Sequence, residues 1–331
     1  HGLAHRLLRI HWKEAGLAEG FQIMDSQDQI RMIRRLLKTM GLDENEWVPK
    51  EIQWFINAQK DEGRRSKQVK DDKKSGHEQL IKIYARYEKA CLEGSVVDFG
   101  ELLLRTLELL REQEDLLLMY RNRFQHFLVD EFQDTNAIQY RWLKLLAGQA
   151  GVPFVVGDDD QSIYRWRGAR VENLQRFQKD FPQAEVVRLE QNYRSTSTIL
   201  SAANAIISHN DSRLGKNLWT TSTKGDPVYL YEAYNNDDES RFITEKINLQ
   251  VKEGFKRSEI AILYRNNFLS RRLEEELNAR RIPYRIYGGF RFFERAEIKD
   301  VIAYIRLAVN FSDNVAFERI INMPPRGIGE K

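Results

Sequence analysis

Phe127-Leu-Val-Asp130-Glu131-Phe-Gln-Asp134-Thr135-Asn136 is the stretch from which the rest of the chain is read. An apolar run this short, closed by acidic and small polar residues and followed by helical spacing, predicts a buried parallel strand that delivers side chains to its carboxyl edge. Open α/β sheets bind ligands at that edge. Adjacent carboxylates there suit magnesium, a hard cation held by one or two carboxylates together with substrate phosphates. The stretch therefore predicts a nucleoside triphosphatase site. Phosphoryl transfer needs charge neutralisation and an aligned nucleophile more than covalent chemistry. Asp130 would hold the ion, directly or through water, and Glu131 would orient and deprotonate the attacking water. The alternative is a solvated strand end with Asp134 or Thr135 capping the next helix.

Downstream, apolar runs at Phe154–Val156 and Val186–Leu189 alternate with helices starting near Thr135 and Ala169. A second series has strands at Val228–Tyr231, Ile260–Tyr264 and Tyr284–Tyr287, separated by helices near Ser195–Ser208, Asp238–Lys252 and Phe268–Arg280. Such alternation predicts parallel sheets covered on both faces, in two α/β domains joined near Glu190–Arg194. A further helix is expected near Ile298–Val309.

Two more strand ends carry candidate chemistry. Gly157-Asp158-Asp-Asp-Gln161-Ser-Ile-Tyr164-Arg-Trp166-Arg167-Gly-Ala169 gathers three carboxylates, an amide and a Tyr-x-Trp pair. Gln161 could hydrogen-bond a terminal phosphate or the attacking water, and an aromatic could stack on an unpaired base. Equally, Tyr164 and Trp166 could be core residues and the acids a turn. In Gln191-Asn-Tyr193-Arg194-Ser195-Thr196, Tyr193 could meet a base and Arg194 a γ-phosphate, with Ser195 capping the next helix. An ordinary surface arginine beside a buried tyrosine is the alternative there.

Upstream, residues 1–124 read as almost entirely helical. Ser26 and Gln29 suggest a capping box before Ile30, Ile33, Leu36, Leu37 and Met40, and Gly41 is placed to end that helix. Others are expected near Pro49–Lys60, near His77–Glu93 and from Asp98 onward. The charged run Asp61–Gly76 reads as a solvated loop, with phosphate contact as the alternative.

A chain of 331 residues favours about two domains. No apolar run is long enough to span a bilayer and the start lacks a basic-then-apolar leader, so no membrane partner and a cytoplasmic location are expected. The single cysteine, Cys91, excludes an intramolecular disulfide framework and a cysteine metal cluster. It falls at helical spacing after Leu80, Tyr84 and Tyr87, which predicts a core position. A net charge of +3 leaves a nucleic-acid partner open.

The three strand-end clusters, in this order, resemble the motifs of superfamily 1 DNA helicases of the UvrD, PcrA and Rep type. The similarity extends to His1-Gly-Leu-Ala-His-Arg-Leu-Leu-Arg9, Ile262-Leu-Tyr-Arg265 and Tyr287-Gly-Gly-Phe-Arg-Phe-Phe293. The resemblance implies an ATP- and Mg2+-dependent motor that moves 3′ to 5′ on single-stranded DNA and unwinds duplexes, working in DNA repair with repair-protein partners. It makes Asp130 the magnesium-binding acid, Glu131 the catalytic base, Gln161 a γ-phosphate sensor, Tyr193 the adenine-stacking ring and Arg194 an arginine finger. His1, Tyr164, Trp166, Arg167 and Arg265 fall where the family contacts single-stranded DNA. The Gly327-Ile-Gly329 turn resembles a loop that meets duplex backbone at single-strand/duplex junctions.

The implied fold is α/β: two RecA-like parallel-sheet motor domains, both incomplete, with an all-helical insertion. Residues 1–124 would be that insertion, 125–190 the second part of the first motor domain, 191–287 the first part of the second, and 288–331 the start of its own helical insertion. No Gly-x-x-x-x-Gly-Lys-Ser/Thr occurs in the chain, so the phosphate-cradling loop is missing. The sequence therefore reads as an internal segment of a longer helicase, with little ATPase activity alone. Competing readings are a non-catalytic single-stranded DNA-binding module and the motor portion of a recombination helicase-nuclease subunit.

Overall fold

The computed structural model describes residues 1–72, 76–210, 213–287, 296–311 and 313–328. Its contacts divide the chain into two compact units: His1–Asn192 with Ala203–Trp219, and Tyr193–Ala202 with Thr220–Lys331. Among the described residues, no helix is long and apolar enough to cross a membrane.

The first unit opens with helices α1 (Gly2–Ile10), α2 (Ser26–Thr39), α3 (Pro49–Asp61), α4 (His77–Glu93), α5 (Phe99–Glu112) and α6 (Glu114–Arg123). The helical expectation holds, except that β1 (Gln22–Ile23) and β2 (Val96–Val97) pair in parallel between them. Helix α2 is capped one residue earlier than expected. The Asp25 carboxylate accepts from the amides of Gln27 and Asp28, and Asp28 completes the box. Gly41 follows the helix with φ of 67°, a left-handed conformation that glycine adopts without strain. Cys91 is buried in α4 and its thiol meets the Met32 sulfur at 3.7 Å, as the spacing predicts. Burial pushes that thiol up to about 12.

The charged run Asp61–Gly76 is only in part the solvated loop its composition suggests: Arg64, Lys67, Lys70, Asp71 and Asp72 are exposed, but Arg65 and Ser66 are not. Arg65 donates two 2.8 Å bonds to the Glu101 carboxylate and another to Glu108, and Ser66 is buried. These acids lie on α5, far away in sequence, and engage the guanidinium that composition alone would leave to solvent or to a phosphate. Lys73–Ser75 lie outside the described residues.

The chain then forms β3 (His126–Val129), α7 (Ala137–Ala147), β4 (Val152–Val155) and α8 (Glu172–Asp180). Strands β3 and β4 run parallel in the register Val129 to Val155. One face of this pair sets Phe127, Val129 and Val155 against Phe132, Tyr140 and Phe177. The other face exposes Leu128 and Phe154, so the sheet is not covered on both sides as expected. Helix α7 also packs Ile138 against Leu102, Leu103 and Leu107 of α5, giving the helical region and the strand pair a shared core.

The second unit contains α10 (Asn236–Lys252), α11 (Ser270–Ala279), α12 (Ala296–Val309) and α13 (Asn314–Ile320), while α9 (Ser197–Ile207) has residues in both units. Ile247, Leu277 and Ile282 form one small core, and Ala303, Ala316 and Ile320 another. The strands expected at Val228–Tyr231, Ile260–Tyr264 and Tyr284–Tyr287 are absent among the described residues, as is the one at Val186–Leu189. A strand exists only when a neighbour completes its ladder, and here Leu230 is 97% and Leu263 93% exposed.

Candidate active site

Parallel pairing brings the carboxyl ends of β3 and β4 to the same edge. The ladder continues past the strands, with the Val156 amide donating to Val129 at 2.8 Å and the Phe132 amide to Val156 at 2.9 Å. Asp130 and Glu131 therefore leave one strand beside the point where Gly157 and Asp158 leave the other. Both Asp130 and Glu131 are exposed. One Asp130 oxygen accepts from the Glu131 amide at 3.0 Å.

Glu131 has a left-handed backbone, φ 51° and ψ 45°. For a residue with a Cβ this costs on the order of 1–2 kcal/mol, which its surroundings must offset. Phe132, fully buried, anchors the turn in the core on the carboxyl side. Gln133 ties it to the second strand. Its Nε2 donates to Glu131 at 2.6 Å, and its Oε1 accepts from the Asp158 amide at 2.9 Å.

Asp158 then extends the chain of contacts. It accepts from the Gln161 side-chain amide at 2.7 Å and pairs with the Lys216 ammonium. Burial pushes the Asp158 carboxyl up, but the Lys216 and Gln161 bonds outweigh it and hold the group below the usual carboxylate range. Arg213 grips Asp160 through two 2.7 Å bonds, and the Leu214 amide donates to Asp159 at 2.7 Å. The three acids are thus clasped by the segment 213–216, which belongs to the same unit.

The reading that makes Trp166 a core residue is overturned: the indole is 69% exposed. Tyr164 is half-buried, with its ring centre 6.3 Å from that of Trp166. The turn behind them closes through Gly168, whose φ is 83° and whose added Cβ would stand 3.0 Å from the Asp61 carboxylate. Asp61 also accepts from the Asn136 side chain at 2.7 Å, so the end of α3 touches both strand-end segments. Burial, then Glu62 and Asp98, push the Asp61 carboxyl up to about 7. Its neighbour Glu62 pairs with Arg170. Asn136, rather than Asp134 or Thr135, caps α7 in a box with Gln139.

His1 is exposed and packs edge-on against Phe99. In the second unit Tyr193 is 84% exposed, which overturns the buried-tyrosine alternative. Arg194, Arg265 and Gly327 are exposed too. Ser195 lies just ahead of α9, which begins at Ser197. The side chain of Arg167, all of Gly329, and residues 288–295 lie outside the described residues.

Comparison with known proteins matches residues 1–182 to the UvrD/REP helicase N-terminal domain and residues 187–331 to the UvrD-like helicase C-terminal domain. The chain belongs to the UvrD/Rep helicase family. It is 55% identical to DNA helicase II of Escherichia coli, over all of this chain and 46% of that protein. It is 42% identical to the ATP-dependent DNA helicase PcrA of Leuconostoc citreum, over 99% of this chain and 44% of that protein. The chain thus spans about half the length of these curated relatives. The RecA-like α/β architecture of UvrD-like helicase domains agrees with the parallel β3–β4 pair flanked by helices.

The donor set at the strand edge fits the cofactors the family implies. Oxygen ligands from carboxylates suit Mg2+, and Asp134 Oδ1 is buried without a hydrogen-bond partner beside Glu131, an orphaned acceptor of the kind a hydrated cation satisfies. Burial and the Glu131 charge both push the Asp134 carboxyl up. Sequence reading left Gln133, Asp61, Arg213 and Lys216 without roles in the site. Gln133 lies two residues beyond Glu131, but its second partner, the Asp158 amide, comes from the adjacent strand end. The others reach the site through contacts distant in sequence.

Proposed function

We propose that this chain is a segment of a longer ATP-driven DNA helicase, one that tracks 3′ to 5′ along single-stranded DNA and opens duplexes in the course of DNA repair. The observation that carries the reading is the common edge where Asp130, Glu131, Asp158 and Gln161 gather, with the exposed Trp166 in the same connection as Gln161. In a motor, such a connection lets the state of a nucleotide be felt where a base is stacked.

Asp130 would hold the magnesium ion of Mg-ATP, which supplies charge neutralisation at the phosphates when bound. Glu131 accepts the proton of the attacking water. Gln161 senses the terminal phosphate, Tyr193 stacks on adenine and Arg194 stabilises charge on the transferred group. Trp166 and Tyr164 offer faces for unpaired bases, and His1, Arg167 and Arg265 add contacts to the strand. Gly327 and Gly329 let backbone amides approach duplex phosphates closely. With no phosphate loop in the sequence, the 331 residues alone are expected to turn over little ATP.

Strand displacement tests this reading in the longer protein. Duplexes with a 3′ single-stranded tail should be opened with ATP and Mg2+, whereas 5′-tailed duplexes should not. Salt-sensitive binding to single strands, with no displacement and no effect of ATP, would instead support a non-catalytic DNA-binding module.

A further inference from the structure

Gln133 is 1% exposed yet carries a fully polar side chain, and both of its polar atoms are used across the gap between the two strand ends. The orientation of its amide is fixed by chemistry. A backbone N–H can only donate, so the atom facing the Asp158 amide at 2.9 Å is the carbonyl oxygen. The NH2 group must then face Glu131, where it donates to Oε2 at 2.6 Å. Gly157 leaves room for this bridge: a Cβ there would stand 2.8 Å from Gln133 Oε1, closer than two such atoms tolerate. Asp158 in turn accepts from Gln161 at 2.7 Å. An unbroken line of hydrogen bonds therefore runs from Glu131 through Gln133 and Asp158 to Gln161. Glu131 needs such support, because its left-handed backbone is one that few residues with a Cβ hold unaided.

We propose that Gln133 is a positioning residue for ATP hydrolysis, holding the Glu131 carboxylate in its strained turn and locking it to the Asp158–Gln161 strand end. The proposal rests on the reading of Glu131 as the base and Gln161 as the phosphate sensor. With one oxygen of Glu131 engaged by the amide, the other is left to orient water. Any displacement of Gln161 by a phosphate is passed through Asp158 and Gln133 to the base. A purely structural role, satisfying the Asp158 amide in a buried place, would show itself in stability and leave turnover of the folded enzyme unchanged.

The test uses the longer helicase with three variants: Gln133→Met, which keeps the shape and removes both hydrogen bonds; Gly157→Ala, which keeps the amide and pushes on it; and Glu131→Gln. Single-stranded-DNA-stimulated ATPase is measured with kcat and KM separated, beside melting temperature and affinity for single strands. Gln133→Met and Gly157→Ala should each lower kcat about 10²-fold, the scale of a displaced catalytic group, with KM and DNA affinity near those of the parent. Adding Gln133→Met to Glu131→Gln should cost little more, because the two act as a unit. If Glu131→Gln leaves turnover intact, the assignment of the base fails. If Glu131→Gln abolishes turnover while Gln133→Met retains it, only the positioning role fails. An equal loss from Gln133→Met in both backgrounds also overturns it. Should the variants not fold, hydrogen exchange of the unsubstituted longer helicase decides: the Asp158 amide should be strongly protected, and rapid exchange there would remove the bridge on which the proposal stands.

Discussion

Replacing Lys60 by methionine should cost about 3–5 kcal/mol of folding stability, the range for stranding one partner of a buried ion pair. Lys60 is 1% exposed, and its ammonium lies 2.7 Å from Asp98 and 3.0 Å from Glu101. Burial alone would lower its pKa, but these two carboxylates prevail and raise it. The two acids differ in what they keep once Lys60 is gone. Glu101 retains Arg65, at 2.8 Å through two bonds, and Arg105 at 2.9 Å. Asp98, 2% exposed, retains the hydroxyl of Tyr87 at 2.7 Å, the amide of Gln29 at 3.5 Å and the Glu101 backbone N–H at 2.7 Å, but none of these is a cation. The penalty is therefore concentrated on Asp98. Methionine fills a similar volume, so little of the loss comes from a cavity. Urea unfolding followed by circular dichroism reads the difference. In a double-mutant cycle, Asp98→Asn should recover at least about 2 kcal/mol of the sum of the single losses, because it removes the stranded charge. A loss below about 1 kcal/mol for Lys60→Met, or additive singles, would mean that Lys60 does not offset a buried charge on Asp98.

Two further outcomes follow from the same unit. The Asp61 carboxyl is pushed up to about 7 in the fold against 3.8 for an ordinary aspartate, so the folded state binds the proton more tightly than the unfolded chain. Stability from this group is complete below pH 4 and falls as pH rises to about 7. Asp61→Asn should remove that loss, gaining no more than about 4 kcal/mol at pH 8 and little at pH 4, in thermal melts across that range; an equal shift at both pH values would contradict it. Trp166→Ala should weaken single-stranded DNA binding by about 1–3 kcal/mol, as loss of one stacking platform does, while melting temperature stays unchanged because the ring is largely exposed. Unchanged affinity in fluorescence titrations would remove Trp166 from the DNA track.

Much of the helical architecture was legible because its signal is local. The apolar spacing of α4 placed its ends at His77 and Glu93 without displacement. The start of α2 moved by one residue because Asp25 and Ser26 are both good caps, and only the backbone path shows that the Asp25 carboxylate reaches the Gln27 and Asp28 amides. Nonlocal partners account for the larger differences. Arg65 looks solvated until Glu88, Glu101 and Glu108 are brought around it by α4 and α5, while Arg64, Lys67 and Gln68 beside it stay exposed. Apolar runs such as 228–231 have strand composition, but composition cannot supply the neighbour that makes a ladder. At the candidate site, the exposed pair Asp130 and Glu131 stood out in the sequence. Gln133 did not, because its meaning lies in the approach of Gly157 from the adjacent strand.

We propose Glu131, at the edge of β3, as the base of a DNA-stimulated ATPase in the longer helicase. The most direct measurement is steady-state ATP hydrolysis by the longer helicase, with and without single-stranded DNA, comparing the parent with Glu131→Gln. DNA should stimulate the parent strongly, and the variant should lose about 10²-fold or more in kcat, as removal of a general base gives, with DNA binding retained. Turnover in Glu131→Gln equal to that of the parent would contradict it.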